Sequence, residues 1–354
     1  MNLAAPLLLA AAAAAALPAQ AKPPTARQFL LDDYTTVVHL DMKAVRDTGV
    51  WDEMGASTLR VVCNFLDDQF GFSLDQLDRI TSVQAPRVEN GQVVATNEVV
   101  VVEGNDDLGE IADPGHNRYA ELAIGAYTLR TDQWMENEAY VQVTPKLRVH
   151  GSPGLLTPVL TGKPRTGLPS PDVMAFTAGK KQLLFYAISD LRQPASMRKL
   201  VEEALPDAGW PQDDKPTFVC LSILASGDPD DPHLTAELVL RHGAAGPGLA
   251  ASEKAVTAAL ERLAKLPQAR AVWPLLKKVA HESDGSDALY RVDLGRARHV
   301  GGMLATMSPF LLFASSQEMQ AAPAMQVQVL EEVTEEVEEP PPPPPPEKKK
   351  DSGN

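Results

Sequence analysis

The sequence predicts an α+β protein made of two related tandem units, each an antiparallel sheet with helices packed on one face. Three observations carry that expectation. Strand-like runs come in pairs with turn chemistry between them, as at Asn90-Gly91 and across Gly227 to Pro232, which favours hairpins over parallel crossovers. The same order of elements occurs twice along the chain. Strands and helices do not alternate strictly, and no Gly-rich phosphate loop follows any strand, which argues against a doubly wound parallel sheet.

In the first copy, the β-rich run Thr35 to Leu40 predicts a strand, followed by a helical region from Met42 to Asp68. Leu59, Val62, Cys63 and Leu66 recur there at helical spacing. Ser73 and Gln76 have capping-box spacing and predict a short helix. Strands at Ile80 to Pro86 and Glu98 to Glu103 flank Asn90-Gly91. Two further strands follow, Tyr119 to Arg130 and Glu138 to Val149, and Pro153 opens a helix.

The second copy starts with a strand at Gln182 to Ser189 and a helix at Pro194 to Leu205. Thr217 to Leu224 and Leu234 to Arg241 form the next hairpin. An amphipathic helix presents Val256, Ala259, Leu260 and Leu263 on one face, with Ser252 as its N-cap. A helical piece at Pro274 to Ala280, a strand at Ala288 to Leu294 and a helix at Arg296 to Leu304 complete it.

The ends have a different character. Residues 1–21 read as a signal peptide, with an apolar run from Leu3 to Leu17 and small residues before Lys22, so an exported, periplasmic or extracellular protein is expected. No Cys follows Ala21 for lipid attachment, and no later apolar run reaches the ~20 residues of a spanning helix, so the mature chain is expected to have no membrane span. Residues 317–354 carry Glu331 to Glu339, seven prolines from Pro340 to Pro346 and Lys348 to Lys350, the composition of a disordered acidic and polyproline tail. The body divides into a first unit at 22–165 and a second at 166–316, with Pro164, Pro169 and Pro171 at the junction.

With 44% hydrophobic and 22% charged residues the body is globular in composition, and 5% aromatic content leaves its core to Val, Leu and Ala. The net charge is −15; the segment from Glu331 holds eight acids and three lysines, so the body keeps about −10. That balance argues against nucleic acid and anionic membrane as partners, leaving an unknown protein or envelope partner.

Candidate chemical sites are few. Cys63 and Cys220 are open between buried thiols and a disulfide. His150-Gly151-Ser152-Pro153-Gly154 lacks the spacing of a nucleophile elbow, since Gly151 adjoins Ser152 directly, and reads as a helix start. Asp228, Asp230, Asp231 and His233 share a loop, but Pro229 and Pro232 break the alternation of a calcium loop. Glu103, Asn105, Asp106, Asp107 and Glu110 read as a capped polar loop. Asp67-Asp68 and Asp213-Asp214 read as solvated caps, and the histidines at 39, 116, 150, 233, 242, 281 and 299 never fall at the i, i+4 spacing of a zinc helix. No metal, no cofactor and no identifiable catalytic residue are expected.

The pattern Val37-Val38-His39-Leu40-Asp41-Met42-Lys43, followed by Gly71-Phe72, Asp75 to Ile80 and Val149-His150-Gly151-Ser152, resembles uncharacterised secreted bacterial proteins that duplicate a strand–helix–antiparallel-sheet unit. The second copy departs from the pattern at Ala187, where the first has Asp41. The resemblance implies a fold and no activity. The expected function is non-enzymatic binding or a structural role in the cell envelope. The alternatives are an exported hydrolase with a site assembled from distant residues, or a carrier of an apolar ligand held between a sheet and its helices.

Overall fold

Thr36–Asp41 (β1) lies near the middle of one large antiparallel sheet in the computed structural model. The structure describes residues 22–53, 72–89, 92–109, 111, 118–133, 137–168, 170–177, 182–193, 196–205, 208–211, 213–265 and 278–302. All of them belong to one compact unit that ends at Ala305. The signal segment, the Leu59–Leu66 face with Cys63, and the tail lie outside the described residues.

The remaining strands of the first half are β2 (Leu77–Glu89), β3 (Gln92–Gly104), β4 (Tyr119–Ile124), β5 (Tyr127–Asp132), β6 (Ala139–Thr144) and β7 (Leu147–Gly151). Those of the second are β8 (Leu183–Asp190), β9 (Phe218–Ser226), β10 (His233–Arg241), β11 (Ala280–Asp284) and β12 (Asp287–Arg296). Among the described residues these make a 12-stranded sheet in the order β11-β12-β10-β9-β8-β1-β2-β3-β7-β6-β5-β4, antiparallel at every step.

The expected pair of separate sheets is therefore overturned. The first strands of the two proposed units pair with each other, Thr36 opposite Ser189 through Leu40 opposite Phe185. Two separate sheets would each leave this strand as an open edge of unpaired N–H and C=O groups, and joining β1 to β8 satisfies both. A buried hydroxyl contact, Thr36 Oγ1 to Ser189 Oγ at 2.7 Å, pins the seam, and the Met197 backbone N–H donates to the same Ser189 oxygen at 3.0 Å. Outward from the seam the order is β1-β2-β3-β7-β6 on one side and β8-β9-β10-β12-β11 on the other, with β5 and β4 extending the first.

Helices lie on both faces, a second departure from the expected single face. Side chains alternate along each strand, so Val37, Val83, Val99, Val149, Ile188, Cys220 and Val239 share one face. Over it pack Phe29 and Tyr34, then Leu156, Val159 and Leu160 of α3 (Pro153–Leu160), and Val173 and Phe176 of α4 (Pro171–Thr177). α1 (Met42–Asp47) and α2 (Val50–Glu53) cover the opposite face near β1 to β3, with Met42 and Trp51 against Leu77, Val102 and Leu108. Residues 297–302 are helical and place Ala297 and Val300 against Val50, Ala225 and Leu234. α5 (Arg198–Ala204) and α6 (Pro247–Lys265) cover that face over β9, β10 and β12.

Local chemistry explains the element ends. Asp41 closes β1 and caps α1, its Oδ1 accepting from the Ala44 N–H at 2.8 Å. β8 likewise ends on an aspartate, Asp190, whose Oδ1 accepts from the Arg192 N–H at 3.0 Å. Ala187, which the sequence pattern sets against Asp41, sits mid-strand opposite Val38.

Other expectations are corrected in detail. Ser73 and Gln76 do interact, with the Ser73 N–H donating to Gln76 Oε1 at 3.0 Å, but they close a turn before β2 and open no helix. The runs at 119–130 and 138–149 each fold back on themselves, giving β4–β5 and β6–β7. Ala280 begins β11 and ends no helix.

Ser252 is not the cap of α6, because the helix starts five residues earlier at Pro247. Asp214 reaches in from the loop before β9 instead, and its Oδ2 accepts from the Gly248 N–H at 2.6 Å. A Cβ at position 248 would stand 1.9 Å from the Asp214 carbonyl oxygen, so glycine alone permits this approach.

Candidate functional site

α6 carries Val256, Ala259 and Leu260 at helical spacing, the face that its amphipathic pattern assigns to the core. That face packs on the sheet at Val256 and leaves a hollow beside it. Between it, Val201 and Leu205 at α5, and Val219, Leu238 and Leu240 of β9 and β10 lies a cavity of about 500 Å³. Ala204 and Ala259 face it from the two helices and are too small to fill it. Glu203 and Arg262 are the charged residues on its lining. Leu221, opposite Leu238 in the ladder, is 42% exposed beside it. An apolar hollow of this size, open to the surface at the exposed residues Glu203, Ala204 and Arg262, is the strongest candidate for a ligand site.

One turn toward the N-terminus on the same side of α6, four polar groups from distant segments converge. The Trp210 indole N–H donates to Ser252 Oγ at 2.8 Å, and Ser252 Oγ lies 2.9 Å from His242 Nε2. His242 Nδ1 lies 3.2 Å from the Asp214 carbonyl oxygen and 3.6 Å from Asp214 Oδ1. One donor direction satisfies the whole chain: indole N–H to hydroxyl, hydroxyl to Nε2, and Nδ1–H to Asp214. This is the polarity of a serine nucleophile with its base and orienting acid. Access is absent, however. Ser252 is fully buried, His242 is buried, and the indole N–H already occupies the hydroxyl oxygen. A nucleophile needs a reacting atom about 3 Å away, and no room is left for one. The chain acts as a strut tying α6 to β10 and to the loop at Trp210.

The other sequence candidates stay apart. Ser152 occupies the N-cap position of α3 with Pro153 behind it, as its helix-start motif predicts, although its side chain makes no capping bond. His150, at the end of β7, stacks on Tyr140 at 5.6 Å. Burial, with the Arg148 guanidinium close by, pulls its imidazole down to about 3, so the ring is neutral at pH 7.

In the loop before β10 the Asp228 side chain accepts from the Asp230 N–H at 3.1 Å, while Asp231 pairs with Arg296 at 2.9 Å and His233 faces Asp293 at 3.6 Å. Asn105 bonds the Asp75 carbonyl, and Asp106 and Asp107 bond backbone N–H groups of their own loop; Glu110 lies outside the described residues. Among the described residues no three His, Cys, Asp or Glu side chains converge as metal ligands would. Cys220 is buried on β9, as the thiol reading has it, and Cys63 lies outside the described residues.

No family model and no curated protein matches the chain. Two solved structures of TP0453, crystal forms I and III, are similar at TM-scores of 0.42 and 0.41 with 9% and 10% sequence identity. They cover 82% and 81% of this chain and 98% and 99% of their own. A similarity this distant assigns no function, and the candidate site rests on its own geometry.

Sequence reasoning found the α6 face but neither the cavity nor the strut. Ser252 on the apolar side, four residues before Val256, was the available sign of a buried polar partner. The cavity is lined jointly by α5, α6, β9 and β10, which no single segment encodes.

Proposed function

We propose that this chain is an exported, non-enzymatic binding protein of the cell envelope that holds an apolar ligand, of the size of a single acyl chain, between α5, α6 and the sheet. The observation that carries the proposal is the cavity of about 500 Å³ with a lining almost wholly of Val, Leu and Ala. Small-molecule pockets span roughly 300–1,000 Å³ and are mostly apolar with few polar groups. Glu203 and Arg262 offer the polar contact for a headgroup. Export rests on residues 1–21. Among the described residues no helix is long and apolar enough to cross a membrane.

A duplicated origin fits the strand order on either side of β1 and β8, and the terminal aspartates Asp41 and Asp190. We place the junction of the two repeats at residues 165–166, within the sequence that links α3 to α4.

Titration with a fluorescent fatty-acid analogue tests the ligand proposal. Ala259→Trp puts an indole into the hollow and should weaken binding about tenfold or more, with circular dichroism establishing that the variant is folded, because Ala259 also packs beside Val256 and Leu240. Equal affinity in the wild type and Ala259→Trp would overturn the assignment of the cavity.

A further inference from the structure

β2 and β3 are each 13 residues long, far longer than their neighbours β1 and β7 at 6 and 5. β1 pairs with β2 only over Arg79 to Gln84, and β7 pairs with β3 only over Val99 to Glu103. Beyond those points no third strand pairs with the hairpin among the described residues, Ala85 opposite Asn97 through Glu89 opposite Gln92, and Ala85 is its last residue buried in the core. It is an arm projecting from one end of the sheet.

Its outer part is apolar and exposed: Val88, Val93 and Val94 are 56%, 42% and 52% accessible. Three such residues clustered at a tip go beyond the scattered exposed apolar side chains of an ordinary surface. Leu168, also exposed, lies at the same end, since its carbonyl accepts from the Asp33 N–H just before β1. The tip is electrically balanced, with the Arg87 Nε donating to Glu89 at 2.9 Å.

The register places the arm relative to the cavity. Gln84, the last β2 residue beside β1, lies opposite Thr36, Thr36 opposite Ser189, and Ser189 opposite Val219 of the cavity lining. The base of the arm and the edge of the cavity therefore belong to the same end of the sheet, three strand spacings or about 14 Å apart, and Val88 extends roughly 13 Å further along β2.

We infer that the arm is a membrane contact: Val88, Val93 and Val94 dip into the surface of a bilayer with neutral headgroups, from which the cavity takes its ligand. The inference rests on the acyl-ligand proposal, because such a ligand resides in a bilayer and a carrier must touch that bilayer to exchange it. Neutral headgroups follow from charge. The tip carries no net charge, and a body near −10 is repelled by an anionic surface. Pairing of arm edges between two copies is opposed by Pro86, which has no N–H to offer at the exposed stretch of β2.

Flotation of the full mature chain with phosphatidylcholine vesicles tests the inference. The wild type should float, and the double substitution Val88→Asp/Val94→Asp should lower the floated fraction about tenfold while leaving fatty-acid-analogue affinity in solution unchanged. Ala259→Trp should show the opposite pattern, floating normally but losing the probe, so failure of the cavity proposal and failure of the arm proposal are distinguishable. Circular dichroism of each variant establishes that it is folded. A wild type that remains unbound, or a double variant that floats as well as the wild type, would overturn the membrane contact. So would a loss of dimer, and not of flotation, in the double variant on size-exclusion chromatography, which would make the occupant a second copy.

Discussion

Replacing Ala187 by proline is expected to destabilise the whole body by roughly 3–5 kcal/mol, read as one cooperative transition in urea. Ala187 is buried in β8 between Val38 of β1 and Leu221 of β9. Proline there deletes a ladder donor and forces its ring into a strand with neighbours on both sides. Because β1 and β8 belong to one sheet, the lesion should be felt on both sides of the seam, with near- and far-ultraviolet dichroism lost together. Ala280→Pro, in the exposed edge strand β11, should cost less than about 1 kcal/mol and serves as the control. Two separate transitions, with the first half retaining its midpoint, would mean that the seam does not couple the halves.

Arg148 gives the second large effect. Its guanidinium is fully buried, donating through Nε to Gln142 Oε1 at 2.8 Å and through Nη2 to the carbonyl oxygens of Leu108 at 3.2 Å and Gly109 at 2.6 Å. It also lies 5.8 Å from the centroids of Phe72 and Tyr140. The side chain thus anchors the loop after β3 to β7 while filling the space between two rings. Arg148→Ala removes the donors and opens a void, for an expected loss of about 3–5 kcal/mol. Arg148→Met restores most of the volume but leaves the two carbonyls and Gln142 short of donors, for about 2 kcal/mol. Urea midpoints at constant m-value separate the two contributions. Equal stability of Arg148→Ala and wild type would show that the anchor contributes nothing.

The local parts of this fold were readable because their signals are local. Asn90-Gly91 between alternating runs marks the β2–β3 hairpin, and Pro153 after Ser152 marks the start of α3. The Val256, Ala259 and Leu260 face correctly points α6 at the sheet. The reversals at Gly125-Ala126 and Pro145-Lys146 were not readable, since strand-like composition runs through both and a two-residue turn barely interrupts it. Nor was the seam. Backbone edges are chemically alike, so which two meet depends on what the rest of the chain leaves uncovered, here strands about 150 residues apart. The start of α6 was misread for a related reason: its capping group, Asp214, is contributed by a loop far from the helix.

The candidate site follows the same division. One wall was legible as an amphipathic helix, while the hollow arises where small residues on separate helices face the sheet. The Trp210–Ser252–His242–Asp214 chain joins three segments, the loop before β9, the end of β10 and α6, and is likewise a product of the assembled fold.

The most direct test of the account is native mass spectrometry of the protein purified without detergent from its native source, followed by extraction and identification of any bound molecule. An apolar ligand of single-acyl size, near one per chain in the wild type and absent from Ala259→Trp, is the predicted result. A wild-type protein that is empty and also fails to take up fatty-acid analogues, or a ligand retained in full by Ala259→Trp, would contradict it.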